Sequence, residues 1–337
     1  MKRHLTFLFV MAALSVHGSE LQDPSGTQLR LGGSVTVEAV PDLFVKTRGG
    51  SRTFLFVGSW RCDHLGNVYF VPATPETLDH LDRIVQISPK GTLLTLLPRS
   101  GTNDSPLKPA VRSRSIGPSG RLHVLIQTEQ SGSLRQRIVS FTPTGEETPP
   151  QGAIQLDTLQ IVAEHFAVVG TGDVVVLGFH PQNRGERLAL VSQKGQVLRD
   201  VGAPEGIIDT SSPSPLTGFT WLGAGSDGLA YLVRERARRI LAISSAGEVV
   251  RTFDLLGPAA MRLTEVHLSA GRLAAIYRPH DGGPRWIQVQ DLATGDLIHT
   301  YGPVANPVVC YQRGERDWFT LLSTAGGVWR LTRAEIP

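Results

Sequence analysis

Cysteine is nearly absent from this chain: Cys62 and Cys310 are the two present in 337 residues. Their spacing excludes a CxxC redox pair. A disulfide between them or two buried thiols both remain open. Aromatic residues are scarce too, at 7%, whereas 36 Gly and 22 Pro favour many short strands and turns over long helices. Beyond the first twenty residues no apolar run approaches the ~18 residues of a membrane-spanning helix, so no membrane span is expected. Catalytic signatures are missing as well. The chain has no G-x-S-x-G elbow, no H-E-x-x-H and no phosphate-binding G-x-x-x-x-G-K.

Neither sign of charge dominates. The 33 Lys+Arg stand against 30 Asp+Glu. Residues 1–19 read as a secretory signal peptide: basic Lys2, Arg3 and His4, an apolar run of twelve from Leu5 to Val16, then Gly18 and Ser19. Removing Lys2 and Arg3 leaves 31 bases against 30 acids, a net charge of +1. No nucleic-acid partner is therefore expected. Residues 20–337 read as one domain, secreted or periplasmic, and monomeric.

Gly223, Gly225 and Gly228 carry the G-x-G-x-x-G spacing of a dinucleotide-binding turn. Internal repetition gives them another meaning. Segments around Gly66, Gly120, Gly172, Gly228 and Gly271 share one form, a polar turn followed by four to six mostly apolar residues. A second hairpin follows each, with turn glycines at Gly91, Gly145, Gly195, Gly247 and Gly295. Gly91 to Gly295 spans 204 residues in four steps, a period of 51, and 318 mature residues divided by 51 give about six units. The runs VYFV, LHVLI, VVVLGF and LAYLV are apolar throughout instead of alternating, as in strands covered on both faces. Stacked four-stranded sheets provide such cover.

The expected fold is all-β, a six-bladed β-propeller of four-stranded antiparallel blades. Residues 308–332 supply three strands of the last blade, and SVTVEAV (34–40) near the N-terminus completes it and closes the ring. Cys62 and Cys310 would then lie on neighbouring innermost strands.

The recurring pattern G-x-[VLA]-x-[VLF], then [RW]-[IL]-x-x-[VIFQ], then a Gly turn, resembles the NHL-repeat propellers and their extracellular bacterial relatives over residues 54–332. The outer connections, up to ~20 residues, are longer than NHL repeats commonly have. The resemblance implies a fold used both as a binding platform and as an enzyme scaffold. It also implies that a divalent cation such as Ca, at the channel mouth, would mark a lactonase-like hydrolase or a lyase. On the innermost strands the candidate ligands are His165, Glu265 and His267, without the carboxylate ring such a site draws on. The preferred reading is a binding or scaffold protein with no cofactor, not an enzyme. Its long loops would receive a protein, peptide or glycan through Arg234, Arg236, Arg238, His180 and Arg278. The same loop face includes residues 74–82 and a basic stretch at 97–114 that holds Arg112 and Arg114.

Overall fold

The computed structural model describes residues 29–38, 44–46, 52–73, 83–97, 110–130, 132–148, 152–182, 185–202, 207–208, 218–258, 260–314, 316–325 and 328–335. The signal-peptide reading of residues 1–19 lies outside them. In chain order the strands begin with β1 (Arg30–Glu38). The first blade then holds β2 (Phe44–Lys46), β3 (Arg52–Cys62), β4 (Val68–Ala73), β5 (Ile84–Ile87) and β6 (Leu93–Leu96). The second holds β7 (Ala110–Ile116), β8 (Leu122–Gln130), β9 (Ser133–Phe141) and β10 (Ile154–Gln155). The third holds β11 (Val162–Val168), β12 (Val174–Phe179), β13 (Glu186–Val191) and β14 (Val197–Asp200). The fourth holds β15 (Thr220–Ala224), β16 (Ala230–Arg234), β17 (Arg239–Ile243) and β18 (Val249–Asp254). The fifth holds β19 (Met261–Ser269), β20 (Arg272–Pro279), β21 (Arg285–Asp291) and β22 (Leu297–Val304). In the sixth, β23 (Val308–Arg313), β24 (Asp317–Ala325) and β25 (Val328–Glu335) pair onward to β1, which supplies the missing fourth strand. The first sheet departs from four strands only by the three-residue β2 on the start of β3.

Burial explains why these segments stay extended. Along β12, Val174 and Val176 pack into a cluster shared with the second blade, while Val175 and Leu177 pack into one shared with the fourth. The period-two alternation of a strand therefore buries both faces, each against a different neighbour. Four more clusters join the remaining adjacent pairs of blades around the ring. Outward along each blade this burial fades: β18 alternates intermediate and exposed residues, and all four residues of β14 are exposed.

All ten hairpin glycines have φ between +72° and +89°. The left-handed backbone there suits glycine, which has no Cβ to clash. The apparent dinucleotide motif dissolves in this light. Gly228 closes the β15–β16 turn, its N–H donating to Gly225 O at 3.2 Å. Gly223 has a separate reason, since a Cβ there would fall 2.2 Å from the Trp221 ring.

Ring closure has a covalent part. Cys62 on β3 and Cys310 on β23 form a disulfide across 248 residues of sequence. Of the two alternatives open in the sequence, the bridged one is present. Reduction, or replacement of both cysteines by Ser, is expected to lower stability by roughly 2–5 kcal/mol through release of this constraint on the unfolded chain. Urea unfolding with and without dithiothreitol measures it. An unchanged midpoint would show that β1 and the apolar clusters close the ring unaided.

Candidate functional site

Five of the six innermost strands carry a register shift: Val57/Arg61, Val111/Ser113, Ala163/His165, Leu263/Glu265 and Val308/Cys310. An extra residue in one strand of an antiparallel pair kinks it and re-aims the side chains that follow. Three of these shifts fall immediately before Arg61, His165 and Glu265.

Arg61 is the hub of that region. It is only 8% exposed. Its Nε donates to Arg114 O at 3.0 Å and its Nη1 to Trp60 O at 3.1 Å. The guanidinium carbon lies 5.1 Å from the centroid of the Trp221 ring, a cation–π distance. Gly223 leaves room for that indole. Burial holds the Arg61 guanidinium down to about 10, opposed by Glu265. Arg114, buried nearby, is held down to about 9 by burial and by repulsion from Arg61.

The three residues proposed as metal ligands share this region, each with Arg61 as an electrostatic neighbour. Burial pushes the Glu265 carboxyl up to about 8, against the pull of Arg61, the Trp60 backbone N–H, Arg114 and Arg285. Burial, reinforced by Arg61, holds His165 at about 4 and His267 at about 3. His267 Nε2 lies 3.4 Å from Val308 O. Among the described residues no group of three or more His, Cys, Asp or Glu converges to hold a metal ion. His165, Glu265 and His267 thus share a guanidinium and do not form a ligand set.

The loop-face arginines differ in burial and in partners. Arg234 is buried, with Nη2 donating to both Glu186 carboxylate oxygens at 3.0 Å and Nη1 to Thr220 Oγ1 at 3.1 Å. It ties the fourth blade to β13 of the third. Arg238 is exposed in the β16–β17 turn at φ +49° and donates to Leu255 O at 3.2 Å. Arg236 in the same turn is exposed. Arg278 is half-buried and donates from Nε to Gly283 O at 3.1 Å. His180 is half-buried at the end of β12, its backbone N–H donating to Gly185 O at 3.0 Å. Residues 74–82 and 98–109 lie outside the described residues. Arg114, counted with that basic stretch, is on β7 and buried.

Two adjacent cavities lie at the opposite, turn-glycine end. The outer one, about 150 Å³, is bordered by Asp63, Gly117, Gly225, Asp227 and Gln312. The inner one, about 30 Å³, is bordered by Arg61, Ser115, Trp221 and His267. Cys62, Ile116, Ala224 and Leu268 line both. Asp63 is fully engaged, accepting from Leu65 N, Asn67 N, Asn67 Nδ2 and Tyr69 OH at 2.8–2.9 Å. Asp227 likewise accepts from Tyr231 OH at 2.6 Å. Sequence reasoning missed Arg61, Ser115 and Trp221. A signal was present: aligned on the turn glycine, Arg61 and Ser115 occupy the same place, five residues before Gly66 and Gly120.

Two outcomes are expected. His123, His165 and His267 have folded values near 4, 4 and 3 against an ordinary 6.5, so the unfolded chain takes up protons first and stability falls as pH drops below 6.5. Glu265, raised from 4.5 to about 8, acts oppositely: the folded state keeps its proton, and stability falls as pH rises through that window. Three groups outweigh one below 6.5 and Glu265 acts alone among these above it, so urea midpoints should peak near pH 6.5. Stability that climbs through pH 8 would contradict a protonated Glu265. Separately, Arg234→Ala should cost about 3–5 kcal/mol by removing the bidentate partner of the buried Glu186 carboxylate, and Arg234→Met with Glu186→Leu much less. Equal losses in the two variants, measured by denaturant unfolding, would refute the ion pair as the source of the cost.

Solved structures align with most of this chain at low identity. A virginiamycin B lyase from Staphylococcus aureus, solved with quinupristin, is 14% identical over 90% of this chain and 99% of its own, with a TM-score of 0.45. A calcium-binding regucalcin from Agrobacterium tumefaciens is 13% identical over 92% and 95%, with a TM-score of 0.47. A Bacteroides caccae protein of unknown function is 12% identical over 82% and 94%, at 0.47. No family profile and no curated protein sequence matches the chain. The six-bladed fold rests on the strand order of the six sheets, and the NHL-type resemblance is unconfirmed.

Proposed function

We propose that this chain is an exported binding propeller whose ligand enters the cavity at the turn-glycine end of the ring. One observation carries the reading. Each residue that would hold a catalytic cation has the Arg61 guanidinium as a neighbour, a fixed positive charge that opposes a metal ion there. What the fold offers at that end is a concave, mostly preformed site, the usual form of a small-ligand pocket. The disulfide suits an oxidising compartment, secreted or periplasmic. Docking of a protein, peptide or glycan on the long loops is a second reading, favoured by the exposed Arg236. A cation-dependent lactonase-like hydrolase or lyase is the rival.

Ser226 is exposed in the β15–β16 turn and borders the outer cavity. Ser226→Trp should fill the entrance without disturbing a blade. The expected result is a small molecule retained by the wild type from an extract and lost from Ser226→Trp, read by native mass spectrometry. About one equivalent of Ca, Mg or Zn in chelator-free protein, lost in His165→Ala or Glu265→Ala, would instead establish the cation-dependent enzyme.

A further inference from the structure

Arg61 is a buried cation with no ion pair. Its hydrogen bonds go to two main-chain carbonyls, Nη2 makes none, and no carboxylate lies within ion-pairing distance among the described residues. A buried charge ordinarily has an opposite charge or a full set of hydrogen bonds, because desolvating it is costly. The inner cavity that Arg61 borders holds two further donors without acceptors. Ser115 is 0% exposed and its Oγ has no partner; Trp221 is 3% exposed and its Nε1 has none. The two unpartnered polar atoms and Arg61 thus border one space of about 30 Å³. Such a space suits the acceptor atoms of a small group and not another donor.

From these observations, and resting on the binding reading above, we infer that the ligand is a small monocarboxylate. Its acid group sits in the inner cavity against Arg61, Ser115 and Trp221, and its neutral body fills the outer cavity. An arginine beside two neutral donors matches a carboxylate, which accepts at two oxygens. The outer cavity, about 150 Å³, has the volume of an engineered site that takes benzene. Its border carboxylates, Asp63 and Asp227, are occupied by internal hydrogen bonds, so the body needs no cationic group.

Benzoate, benzamide and acetate are the probes, titrated calorimetrically into the mature protein in chloride-free buffer. Benzoate should saturate one site, with benzamide about tenfold weaker or more, the difference a charge-assisted hydrogen bond makes. Acetate should compete with benzoate. Ser115→Ala should weaken benzoate about fivefold or more, and Arg61→Gln should abolish it. If Arg61→Gln does not fold, Trp221→Phe, which removes the indole N–H together with part of the ring face over Arg61, is expected to weaken benzoate at least as much as Ser115→Ala does. Benzamide equal to benzoate would overturn the carboxylate assignment while leaving the pocket a ligand site. Benzoate binding unchanged in Ser115→Ala and Trp221→Phe would move the acid group elsewhere. No saturation by any probe overturns the inference, and the extract experiment with Ser226→Trp then decides the binding reading independently.

Discussion

A strand that is apolar on both faces cannot rest against a single neighbour, and the rest of this structure follows from that constraint. β12 divides its valines between two clusters, one on each side. Each neighbouring blade is left with the same requirement on its far face, so an open stack would always end on an uncovered sheet. Closing the row into a ring removes the end. The sixth apolar cluster, where Val37 of β1 and Trp329 of β25 meet Trp60 and Phe70 of the first blade, is the contact that makes the other clusters sufficient. The cluster and the bridge between Cys62 and Cys310 therefore guard one seam.

The ring also dictates what its axis holds. Edges of innermost strands converge there, and a bulge in most of them turns a polar side chain into a space that apolar packing leaves incompletely filled. Arg61 is steadied by two carbonyls and the face of Trp221, and Trp221 in turn needs the bare backbone of Gly223 beside it. The glycine that imitates a nucleotide motif is thus a packing device, two contacts away from the charge at the centre. Polarity at the axis depends on small residues as much as on charged ones.

The architecture was legible because repetition is robust to local error. Ten turn glycines in one frame, and strands such as VVVLGF without alternation, specify paired hairpins whatever the loops do. The site was less legible for a physical reason. Counting along a strand assigns a face only while the period of two holds, and a bulge breaks it just before His165 and Glu265. His165, Glu265 and His267 are legible as innermost-strand residues, but Arg61, the group that neighbours all three electrostatically, is a single base in the segment GSWRC with nothing local to mark it. Arg234 read as part of an arginine-rich loop. Its partner Glu186 belongs to another blade, 48 residues away, and no local pattern announces that pairing.

The pairing of Arg30 with Glu335 brings the outer ends of β1 and β25 together. Tension applied at those two points would act like fingers opening a zipper, breaking the ladder one rung after another instead of shearing it all at once. Such a tear starts at low force. It cannot run around the ring, because the covalent link between Cys62 and Cys310, 248 positions apart in sequence, bypasses everything between them. Mechanically, the protein is a soft clasp fastened to a loop that load on its ends does not reach.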